Sequence, residues 1–85
     1  MPRLNWEIIA GDIAEAREEL ERIESRIKAR DLSAVEFQIA IEHAYHHLNF
    51  AWNARHQSTK RYASMTEDDF KAWGKFPEDL DWPRE

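Results

Sequence analysis

The chain has no cysteine, which excludes disulfides, thiolate metal sites and cysteine nucleophiles together. It has only two glycines in 85 residues, while 42% of its residues are hydrophobic and 12% aromatic. That composition belongs to a folded helical domain and not to a disordered tail. No apolar run approaches the roughly 18 residues of a membrane span. An excess of basic charge is also lacking. Twelve Lys and Arg face 17 Asp and Glu, a net charge of −5, the wrong sign for tracking phosphates. Neither nucleic acid nor a membrane is therefore the expected partner. Met1-Pro2-Arg3-Leu4-Asn5 leads straight into charged sequence with no apolar leader stretch, so a cytoplasmic location is expected.

Size adds a further exclusion. Eighty-five residues leave no room for barrels, doubly wound sheets or multidomain enzymes. A chain this short buries only about 60–65% of the surface its unfolded form exposes, so it calls for a support. Disulfides are excluded, which leaves a metal or a partner chain.

The periodicity is helical. Ile9, Ile13, Ala16, Leu20, Ile23 and Ile27 alternate spacings of four and three, the a/d pattern of a narrow seam. Acidic and basic residues fill the positions between, with Glu18→Arg22 and Glu24→Lys28 in the favourable i,i+4 order. Asn5 is a cap for a start at Trp6, and Gly11-Asp12 with Glu15 offers a competing start. A first helix over about 6–29 follows. Ser33-Ala34-Val35-Glu36 is a capping box, with Leu32 and Phe37 as a hydrophobic staple. It opens a second helix over about 33–56. About four residues join two helices of similar length, which forces an antiparallel α-hairpin. Past a polar connector, Ser64-Met65-Thr66-Glu67-Asp68-Asp69 opens a short helix over about 66–73, with Gly74 as its stop and Pro77 beyond. Residues 77–85 read as an irregular tail. The expected class is all-α, with two such hairpins dimerising into a four-helix bundle.

The second helix carries the information. A wheel at 100° per residue places Ala34, Phe37, Ile41, Ala44, Tyr45, Leu48, Ala51 and Trp52 on the side expected to meet the first helix. In that alignment Leu20 and Ile41 are seam residues, each worth about 2–4 kcal/mol on truncation to Ala. The other side gathers Ile39, His43, His46, His47 and Phe50. A helix apolar on two sides is buried on two sides. Its second neighbour is a second copy of the chain, or the C-terminal aromatics folded back. Ile39, Phe50, Phe70, Trp73, Phe76 and Trp82 are accordingly the candidate interaction residues, since aromatic anchors dominate binding surfaces.

His43-Ala44-Tyr45-His46-His47 is the one cluster of metal-ligand type. His43 and His47 share a face at i,i+4, and Glu36 lies two turns earlier near the same line. His43, His47, His46 and Glu36 are the candidate ligands, for zinc or iron. Against them stands the simpler reading of half-buried histidines bonded to backbone, water or the neighbouring Asn strip, with no cofactor at all. Glu-x-x-His repeats and His-Glu-x-x-His are both missing. Arg55, on the inward line of helix two, is read as a C-terminal cap or as a partner for an acidic group. No nucleophile with a base and an orienting third residue is spaced around His56. The sequence therefore reads as a non-enzymatic homodimeric module for protein interaction or regulation. The alternative is a histidine-rich metal-binding bundle with redox or hydrolytic chemistry.

Overall fold

The computed structural model describes residues 3–80. Trp82 and the tail from 81 onward lie outside them. The described residues form four helices and no strand: α1 (Trp6–Ala29), α2 (Ala34–Asn53), α3 (Thr59–Ala63) and α4 (Glu67–Trp73). None is long and apolar enough to cross a membrane.

The caps act as the sequence dictates. The Asn5 side chain accepts from the Ile8 N–H, so α1 begins at Trp6 and runs through Gly11 without a break. Ser33 and Glu36 exchange both bonds of a capping box, and Thr66 and Asp69 do the same at α4. Arg30 closes α1 in the left-handed region at φ 56°, its N–H bonded to the Arg26 and Ile27 carbonyls. Four residues later the chain has reversed. The pairs Asp12–His47, Glu19–His43 and Arg26–Glu36 step in opposite directions along α1 and α2, which makes the hairpin antiparallel.

Two boundaries differ from the sequence expectation. Helix α2 ends at Asn53, short of 56, and beyond it the Arg55 and Gln57 carbonyls accept from the backbone N–H and side-chain amide of Asn5. The connector beyond is partly helical: the Ser58 hydroxyl accepts from the Arg61 N–H and starts the five-residue α3. One turn is too short to show periodicity.

The rotation of both long helices differs in part, although Ala16, Ile23, Ala44 and Ala51 are buried as expected. The buried line of α1 is Ile8, Asp12, Ala16, Glu19 and Ile23. Ile13, Leu20 and Ile27, expected in the seam, are 47%, 42% and 57% exposed. On α2 the buried residues are Ala44, Phe50 and Ala51, followed by Ala54 at its cap, while Phe37, Tyr45 and Leu48 are exposed. Each helix is turned so that the carboxylates of α1 meet the histidines of α2. Small buried residues, Ala16, Ala44, Ala51 and Ala54, suit a close approach of helices, since side-chain size at the contact sets their separation.

Helices α3 and α4 cover the end of the hairpin where α1 begins and α2 finishes. Ile8, Phe50, Ala54 and Trp73 form a buried cluster, with Tyr62 and Met65 packed against it. Tyr62 stacks on Trp73 at 5.9 Å between ring centroids, and Phe50 meets both edge-on. The clasp is latched by polar groups. Asn49 Nδ2 donates to the Gly74 carbonyl, and Asn53 Nδ2 donates to those of Trp73 and Lys75. Carbonyls at the end of a helix lack intrahelical partners, and these bonds supply them. Phe50 and Trp73, both candidate interaction residues, are thus interior to one chain. Ile39, Phe70 and Phe76 remain more than half exposed.

The opposite face of the hairpin is uncovered. Ile13, Leu20 and Ile27 run beside Phe37, Tyr45 and Leu48, all exposed. A groove of about 430 Å³ between Leu4, Ile9, Ile13, Leu48 and Trp52 marks one end of this stripe. A second, of about 460 Å³, lies between Ile27, Leu32 and Phe37 at the other.

Candidate functional site

Asp12 and Glu19 lie seven residues apart on α1, about 10.5 Å along its axis, and both are buried. A buried carboxylate must be bonded and compensated. His47 Nδ1 is 3.0 Å from Asp12 Oδ1, and His43 Nδ1 is 3.0 Å from Glu19 Oε2. An ionised carboxylate only accepts, so each Nδ1 carries the hydrogen and donates it. The other nitrogen of each ring then points at its neighbour: His43 Nε2 and His47 Nε2 stand 3.2 Å apart, with ring centroids at 4.8 Å. The i,i+4 spacing on α2 places the rings side by side, and α1 supplies their anchors.

The chain of bonds continues outward at both ends. The Tyr62 hydroxyl donates to Asp12 Oδ2 at 2.8 Å. Burial, followed by this bond, pushes the Tyr62 phenol above its ordinary 10, so it stays a donor. Arg22 Nη1 donates to Glu19 Oε2 at 2.9 Å. A connected line results: Tyr62, Asp12, His47, His43, Glu19, Arg22. It runs from a buried end to an open one. The His47 side chain is 20% exposed and that of His43 54%. A hollow of about 280 Å³ between Glu19, Arg26, Glu36, Ile39 and His43 opens the site to solvent on that side.

The four residues singled out as ligands by sequence divide. His43 and His47 are brought nitrogen to nitrogen. His46 instead packs between Phe50 and Phe70, at ring centroid distances of 4.3 and 4.7 Å, and its buried Nε2 has no hydrogen-bond partner. Burial, with the neighbouring His47 and His43 rings, lowers its pKa from the ordinary 6.5. The Glu36 carboxylate accepts from the Ser33 N–H and from Arg26 Nη2 at 2.9 Å; these bonds, that of Arg26 foremost, hold its pKa down to about 2. Among the described residues no group of three or more His, Asp or Glu is arranged to hold a metal ion. The chemistry on offer is therefore a bidentate imidazole pair.

Asp12, Glu19 and Tyr62 were not singled out by sequence. Asp12 reads as part of a cap, and Glu19 as one of several carboxylates on α1. Their seven-residue spacing, which puts both on one face of a helix, was the available signal. Arg55 caps the end of α2 by donating to the Trp52 carbonyl, and it lies over the Trp52 ring at 3.8 Å. Its acidic partner is Asp79, at 3.2 Å. His56 Nδ1 donates to the Arg3 carbonyl at 3.1 Å and so ties down the segment before α1. No protein-family model, curated protein or solved structure matches the chain.

Proposed function

We propose that the protein is a non-catalytic helical module that works as a homodimer, two hairpins packing through the uncovered stripe into a four-helix bundle. The observation that carries this reading is the stripe itself. Ile13, Leu20 and Ile27 on α1 and Phe37, Tyr45 and Leu48 on α2 expose large apolar side chains along one face. Contiguous apolar surface of this kind marks an interaction site.

The occupant is argued from area. The chain exposes 6871 Å², whereas a compact monomer of 10.2 kDa exposes about 5,300 Å². A standard interface takes about 800 Å² from each partner, less than the excess of about 1,500 Å² over the whole chain. A second copy presents the same stripe at the same heptad spacing, so a two-fold axis across the face matches like with like. Regulation or recruitment of another protein would then fall to surfaces outside the stripe, among them Ile39, Phe70 and Phe76, which stay exposed.

Light scattering coupled to size exclusion tests the proposal. The wild type at micromolar concentration is expected at about twice the mass of one chain, and Leu20→Glu at the mass of one chain with unchanged helix content. A wild-type monomer throughout the concentration series overturns the reading, as does a dimer that Leu20→Glu and Ile13→Glu both leave intact.

A further inference from the structure

We propose that His43 and His47 bind one divalent transition-metal ion of the zinc class through their Nε2 atoms, with Asp12 and Glu19 as the outer carboxylates that orient the two rings. The site lies where α1 meets α2, away from the dimerisation stripe, so its fate does not depend on that assembly.

Three observations converge on the ion. First, both tautomers are set from outside: each Nδ1–H is held by a buried carboxylate at 3.0 Å, which leaves the two Nε2 atoms facing each other at 3.2 Å. A metal-binding histidine is commonly fixed in this way, its far nitrogen donating to a carboxylate. Second, the spacing fits. Two Zn–N bonds of 2.0–2.1 Å closing on nitrogens 3.2 Å apart subtend about 100°, near the tetrahedral angle. Third, buried Asp12 has no permanently charged partner, whereas Glu19 already has Arg22 at 2.9 Å. The partners of buried Asp12 are His47 and Tyr62, and neither carries a permanent positive charge. Two bare lone pairs facing at 3.2 Å repel each other and need a proton or a metal between them. A divalent ion on the pair removes that repulsion and adds positive charge one imidazole away from each of the two carboxylates.

Protein ligands fill two positions. The half-exposed edge of His43 and the hollow beside it leave the remaining positions to water or an external donor. Imidazole suits zinc, copper and nickel alike, and affinity rises toward copper. The ion bound in a cell therefore follows supply as well as geometry.

The test uses untagged full-length protein stripped of metal, titrated with Zn²⁺ by calorimetry and with Co²⁺ by visible absorption. One ion per chain is expected. His43→Gln and His47→Gln should each abolish saturable binding, His56→Gln should leave it unchanged, and Glu19→Gln should weaken it about 10- to 100-fold. Nitrogen NMR of the unmutated protein gives a readout independent of how the variants fold: Zn²⁺ should shift Nε2 of His43 and His47 while both Nδ1 keep their hydrogens. Absence of saturable binding overturns the proposal. So does binding that survives the loss of either histidine, or a shift confined to His46 or His56. One ion per two chains also overturns it, in favour of a site shared between copies.

Discussion

The two glycines occupy opposite circumstances. Gly11 sits in the interior of α1, and a Cβ added there meets nothing within 4 Å. Gly11→Ala is therefore expected to stabilise the fold by about 0.5–1 kcal/mol, through helix propensity alone. Gly74 caps α4 at φ −82°, so its backbone has no need of glycine. Its neighbours do need it, because an added Cβ falls 2.8 Å from His46 Cε1 and 3.0 Å from the Phe70 carbonyl oxygen. Gly74→Ala should cost about 1–3 kcal/mol, as overpacking does. Urea unfolding of the two variants at one protein concentration checks the contrast, and equal signs would refute it. Glu36 supplies a pH prediction. Arg26, itself bonded to Asp31, and the Ser33 N–H hold the Glu36 pKa at about 2 instead of 4.5. A carboxylate depressed in the folded state contributes stability above its unfolded pKa and loses it as pH falls through the folded one. Between pH 4.5 and 2 the melting temperature should thus fall less steeply in Glu36→Gln than in wild type. Superimposable slopes would show that the Arg26 bond is solvated away.

At the level of the helices, the rotation of α1 and α2 is open to mutation. Ile23 is 7% exposed, and Ile23→Ala should cost about 2–5 kcal/mol at any protein concentration. Leu20, an expected seam residue, lies on the uncovered face. Leu20→Ala should cost under about 1 kcal/mol in dilute monomer, with a penalty that grows with concentration if two copies cover it. Chemical denaturation at two concentrations a hundredfold apart distinguishes the sites, and a large concentration-independent loss at Leu20 would restore the seam read from periodicity. Helices α3 and α4 act on this rotation indirectly. By placing Tyr62, Met65 and Trp73 against Ile8, Phe50 and Ala54, they hold one flank of α2 and leave the stripe on the other side.

For the whole molecule, the proposed dimer would bring together two chains of net charge −5. Like charge opposes assembly, and salt screens it over a Debye length of about 10 Å at 0.1 M. The dimer fraction measured by sedimentation should accordingly rise between low and moderate salt, as the apolar stripe supplies the attraction and the net charge only the repulsion. A dimer dissolved by moderate salt would point to ion pairs as its glue, and the stripe would lose its role.

What the sequence determined by itself are the features settled within a turn or two of helix. The caps at Asn5, Ser33 and Thr66, the short reversal after Ala29 and the shared face of His43 and His47 each follow from residues close together along the chain. Tertiary structure decided which face of each helix turns inward. Ile13, Leu20 and Ile27 carry the stronger periodic signal, yet Asp12 and Glu19 are buried in their place, where α2 offers each carboxylate a ring nitrogen at 3.0 Å.

Results

Sequence analysis

The chain has no cysteine, which excludes disulfides, thiolate metal sites and cysteine nucleophiles together. It has only two glycines in 85 residues, while 42% of its residues are hydrophobic and 12% aromatic. That composition belongs to a folded helical domain and not to a disordered tail. No apolar run approaches the roughly 18 residues of a membrane span. An excess of basic charge is also lacking. Twelve Lys and Arg face 17 Asp and Glu, a net charge of −5, the wrong sign for tracking phosphates. Neither nucleic acid nor a membrane is therefore the expected partner. Met1-Pro2-Arg3-Leu4-Asn5 leads straight into charged sequence with no apolar leader stretch, so a cytoplasmic location is expected.

Size adds a further exclusion. Eighty-five residues leave no room for barrels, doubly wound sheets or multidomain enzymes. A chain this short buries only about 60–65% of the surface its unfolded form exposes, so it calls for a support. Disulfides are excluded, which leaves a metal or a partner chain.

The periodicity is helical. Ile9, Ile13, Ala16, Leu20, Ile23 and Ile27 alternate spacings of four and three, the a/d pattern of a narrow seam. Acidic and basic residues fill the positions between, with Glu18→Arg22 and Glu24→Lys28 in the favourable i,i+4 order. Asn5 is a cap for a start at Trp6, and Gly11-Asp12 with Glu15 offers a competing start. A first helix over about 6–29 follows. Ser33-Ala34-Val35-Glu36 is a capping box, with Leu32 and Phe37 as a hydrophobic staple. It opens a second helix over about 33–56. About four residues join two helices of similar length, which forces an antiparallel α-hairpin. Past a polar connector, Ser64-Met65-Thr66-Glu67-Asp68-Asp69 opens a short helix over about 66–73, with Gly74 as its stop and Pro77 beyond. Residues 77–85 read as an irregular tail. The expected class is all-α, with two such hairpins dimerising into a four-helix bundle.

The second helix carries the information. A wheel at 100° per residue places Ala34, Phe37, Ile41, Ala44, Tyr45, Leu48, Ala51 and Trp52 on the side expected to meet the first helix. In that alignment Leu20 and Ile41 are seam residues, each worth about 2–4 kcal/mol on truncation to Ala. The other side gathers Ile39, His43, His46, His47 and Phe50. A helix apolar on two sides is buried on two sides. Its second neighbour is a second copy of the chain, or the C-terminal aromatics folded back. Ile39, Phe50, Phe70, Trp73, Phe76 and Trp82 are accordingly the candidate interaction residues, since aromatic anchors dominate binding surfaces.

His43-Ala44-Tyr45-His46-His47 is the one cluster of metal-ligand type. His43 and His47 share a face at i,i+4, and Glu36 lies two turns earlier near the same line. His43, His47, His46 and Glu36 are the candidate ligands, for zinc or iron. Against them stands the simpler reading of half-buried histidines bonded to backbone, water or the neighbouring Asn strip, with no cofactor at all. Glu-x-x-His repeats and His-Glu-x-x-His are both missing. Arg55, on the inward line of helix two, is read as a C-terminal cap or as a partner for an acidic group. No nucleophile with a base and an orienting third residue is spaced around His56. The sequence therefore reads as a non-enzymatic homodimeric module for protein interaction or regulation. The alternative is a histidine-rich metal-binding bundle with redox or hydrolytic chemistry.

Overall fold

The computed structural model describes residues 3–80. Trp82 and the tail from 81 onward lie outside them. The described residues form four helices and no strand: α1 (Trp6–Ala29), α2 (Ala34–Asn53), α3 (Thr59–Ala63) and α4 (Glu67–Trp73). None is long and apolar enough to cross a membrane.

The caps act as the sequence dictates. The Asn5 side chain accepts from the Ile8 N–H, so α1 begins at Trp6 and runs through Gly11 without a break. Ser33 and Glu36 exchange both bonds of a capping box, and Thr66 and Asp69 do the same at α4. Arg30 closes α1 in the left-handed region at φ 56°, its N–H bonded to the Arg26 and Ile27 carbonyls. Four residues later the chain has reversed. The pairs Asp12–His47, Glu19–His43 and Arg26–Glu36 step in opposite directions along α1 and α2, which makes the hairpin antiparallel.

Two boundaries differ from the sequence expectation. Helix α2 ends at Asn53, short of 56, and beyond it the Arg55 and Gln57 carbonyls accept from the backbone N–H and side-chain amide of Asn5. The connector beyond is partly helical: the Ser58 hydroxyl accepts from the Arg61 N–H and starts the five-residue α3. One turn is too short to show periodicity.

The rotation of both long helices differs in part, although Ala16, Ile23, Ala44 and Ala51 are buried as expected. The buried line of α1 is Ile8, Asp12, Ala16, Glu19 and Ile23. Ile13, Leu20 and Ile27, expected in the seam, are 47%, 42% and 57% exposed. On α2 the buried residues are Ala44, Phe50 and Ala51, followed by Ala54 at its cap, while Phe37, Tyr45 and Leu48 are exposed. Each helix is turned so that the carboxylates of α1 meet the histidines of α2. Small buried residues, Ala16, Ala44, Ala51 and Ala54, suit a close approach of helices, since side-chain size at the contact sets their separation.

Helices α3 and α4 cover the end of the hairpin where α1 begins and α2 finishes. Ile8, Phe50, Ala54 and Trp73 form a buried cluster, with Tyr62 and Met65 packed against it. Tyr62 stacks on Trp73 at 5.9 Å between ring centroids, and Phe50 meets both edge-on. The clasp is latched by polar groups. Asn49 Nδ2 donates to the Gly74 carbonyl, and Asn53 Nδ2 donates to those of Trp73 and Lys75. Carbonyls at the end of a helix lack intrahelical partners, and these bonds supply them. Phe50 and Trp73, both candidate interaction residues, are thus interior to one chain. Ile39, Phe70 and Phe76 remain more than half exposed.

The opposite face of the hairpin is uncovered. Ile13, Leu20 and Ile27 run beside Phe37, Tyr45 and Leu48, all exposed. A groove of about 430 Å³ between Leu4, Ile9, Ile13, Leu48 and Trp52 marks one end of this stripe. A second, of about 460 Å³, lies between Ile27, Leu32 and Phe37 at the other.

Candidate functional site

Asp12 and Glu19 lie seven residues apart on α1, about 10.5 Å along its axis, and both are buried. A buried carboxylate must be bonded and compensated. His47 Nδ1 is 3.0 Å from Asp12 Oδ1, and His43 Nδ1 is 3.0 Å from Glu19 Oε2. An ionised carboxylate only accepts, so each Nδ1 carries the hydrogen and donates it. The other nitrogen of each ring then points at its neighbour: His43 Nε2 and His47 Nε2 stand 3.2 Å apart, with ring centroids at 4.8 Å. The i,i+4 spacing on α2 places the rings side by side, and α1 supplies their anchors.

The chain of bonds continues outward at both ends. The Tyr62 hydroxyl donates to Asp12 Oδ2 at 2.8 Å. Burial, followed by this bond, pushes the Tyr62 phenol above its ordinary 10, so it stays a donor. Arg22 Nη1 donates to Glu19 Oε2 at 2.9 Å. A connected line results: Tyr62, Asp12, His47, His43, Glu19, Arg22. It runs from a buried end to an open one. The His47 side chain is 20% exposed and that of His43 54%. A hollow of about 280 Å³ between Glu19, Arg26, Glu36, Ile39 and His43 opens the site to solvent on that side.

The four residues singled out as ligands by sequence divide. His43 and His47 are brought nitrogen to nitrogen. His46 instead packs between Phe50 and Phe70, at ring centroid distances of 4.3 and 4.7 Å, and its buried Nε2 has no hydrogen-bond partner. Burial, with the neighbouring His47 and His43 rings, lowers its pKa from the ordinary 6.5. The Glu36 carboxylate accepts from the Ser33 N–H and from Arg26 Nη2 at 2.9 Å. These bonds, that of Arg26 foremost, hold its pKa down to about 2. Among the described residues no group of three or more His, Asp or Glu is arranged to hold a metal ion. The chemistry on offer is therefore a bidentate imidazole pair.

Asp12, Glu19 and Tyr62 are not singled out as site residues by the sequence. Asp12 reads as part of a cap, and Glu19 as one of several carboxylates on α1. Their seven-residue spacing, which puts both on one face of a helix, is the available signal. Arg55 caps the end of α2 by donating to the Trp52 carbonyl, and it lies over the Trp52 ring at 3.8 Å. Its acidic partner is Asp79, at 3.2 Å. His56 Nδ1 donates to the Arg3 carbonyl at 3.1 Å and so ties down the segment before α1. No protein-family model, curated protein or solved structure matches the chain.

Proposed function

We propose that the protein is a non-catalytic helical module that works as a homodimer, two hairpins packing through the uncovered stripe into a four-helix bundle. The observation that carries this reading is the stripe itself. Ile13, Leu20 and Ile27 on α1 and Phe37, Tyr45 and Leu48 on α2 expose large apolar side chains along one face. Contiguous apolar surface of this kind marks an interaction site.

The occupant is argued from area. The chain exposes 6871 Å², whereas a compact monomer of 10.2 kDa exposes about 5,300 Å². A standard interface takes about 800 Å² from each partner, less than the excess of about 1,500 Å² over the whole chain. A second copy presents the same stripe at the same heptad spacing, so a two-fold axis across the face matches like with like. Regulation or recruitment of another protein would then fall to surfaces outside the stripe, among them Ile39, Phe70 and Phe76, which stay exposed.

Light scattering coupled to size exclusion tests the proposal. The wild type at micromolar concentration is expected at about twice the mass of one chain, and Leu20→Glu at the mass of one chain with unchanged helix content. A wild-type monomer throughout the concentration series overturns the reading, as does a dimer that Leu20→Glu and Ile13→Glu both leave intact.

A further inference from the structure

We propose that His43 and His47 bind one divalent transition-metal ion of the zinc class through their Nε2 atoms, with Asp12 and Glu19 as the outer carboxylates that orient the two rings. The site lies where α1 meets α2, away from the dimerisation stripe, so its fate does not depend on that assembly.

Three observations converge on the ion. First, both tautomers are set from outside: each Nδ1–H is held by a buried carboxylate at 3.0 Å, which leaves the two Nε2 atoms facing each other at 3.2 Å. A metal-binding histidine is commonly fixed in this way, its far nitrogen donating to a carboxylate. Second, the spacing fits. Two Zn–N bonds of about 2.0–2.1 Å closing on nitrogens 3.2 Å apart subtend about 100°, near the tetrahedral angle. Third, buried Asp12 has no permanently charged partner, whereas Glu19 already has Arg22 at 2.9 Å. The partners of buried Asp12 are His47 and Tyr62, and neither carries a permanent positive charge. Two bare lone pairs facing at 3.2 Å repel each other and need a proton or a metal between them. A divalent ion on the pair removes that repulsion and adds positive charge one imidazole away from each of the two carboxylates.

Protein ligands fill two positions. The half-exposed edge of His43 and the hollow beside it leave the remaining positions to water or an external donor. Imidazole suits zinc, copper and nickel alike, and affinity rises toward copper. The ion bound in a cell therefore follows supply as well as geometry.

The test uses untagged full-length protein stripped of metal, titrated with Zn²⁺ by calorimetry and with Co²⁺ by visible absorption. One ion per chain is expected. His43→Gln and His47→Gln should each abolish saturable binding, His56→Gln should leave it unchanged, and Glu19→Gln should weaken it about 10- to 100-fold. Nitrogen NMR of the unmutated protein gives a readout independent of how the variants fold: Zn²⁺ should shift Nε2 of His43 and His47 while both Nδ1 keep their hydrogens. Absence of saturable binding overturns the proposal. So does binding that survives the loss of either histidine, or a shift confined to His46 or His56. One ion per two chains also overturns it, in favour of a site shared between copies.

Discussion

The two glycines occupy opposite circumstances. Gly11 sits in the interior of α1, and a Cβ added there meets nothing within 4 Å. Gly11→Ala is therefore expected to stabilise the fold by about 0.5–1 kcal/mol, through helix propensity alone. Gly74 caps α4 at φ −82°, so its backbone has no need of glycine. Its neighbours do need it, because an added Cβ falls 2.8 Å from His46 Cε1 and 3.0 Å from the Phe70 carbonyl oxygen. Gly74→Ala should cost about 1–3 kcal/mol, as overpacking does. Urea unfolding of the two variants at one protein concentration checks the contrast, and equal signs would refute it.

Glu36 supplies a pH prediction at the same scale. Arg26, itself bonded to Asp31, and the Ser33 N–H hold the Glu36 pKa at about 2, down from 4.5. A carboxylate depressed in the folded state contributes stability above its unfolded pKa and loses it as pH falls through the folded one. Between the ordinary 4.5 and about 2, the melting temperature should thus fall less steeply with pH in Glu36→Gln than in wild type. Superimposable slopes would show that the Arg26 bond is solvated away.

At the level of the helices, the rotation of α1 and α2 is open to mutation. Ile23 is 7% exposed, and Ile23→Ala should cost about 2–5 kcal/mol at any protein concentration. Leu20, an expected seam residue, lies on the uncovered face. Leu20→Ala should cost under about 1 kcal/mol in dilute monomer, with a penalty that grows with concentration if two copies cover it. Chemical denaturation at low and high protein concentration distinguishes the sites, and a large concentration-independent loss at Leu20 would restore the seam read from periodicity. Helices α3 and α4 act on this rotation indirectly. By placing Tyr62, Met65 and Trp73 against Ile8, Phe50 and Ala54, they hold one flank of α2 and leave the stripe on the other side.

For the whole molecule, the proposed dimer would bring together two chains of net charge −5. Like charge opposes assembly, and salt screens it over a Debye length of about 10 Å at 0.1 M. The dimer fraction measured by sedimentation should accordingly rise between low and moderate salt, as the apolar stripe supplies the attraction and the net charge only the repulsion. A dimer dissolved by moderate salt would point to ion pairs as its glue, and the stripe would lose its role.

What the sequence determined by itself are the features settled within a turn or two of helix. The caps at Asn5, Ser33 and Thr66, the short reversal after Ala29 and the shared face of His43 and His47 each follow from residues close together along the chain. Tertiary structure decided which face of each helix turns inward. Ile13, Leu20 and Ile27 carry the stronger periodic signal, yet Asp12 and Glu19 are buried in their place. The reason is that α2 offers each carboxylate a ring nitrogen at 3.0 Å, which turns a costly burial into a satisfied one. Such a partner is fixed only when the two helices meet, 35 residues apart for Asp12 and His47 and 24 for Glu19 and His43, beyond the reach of any local pattern.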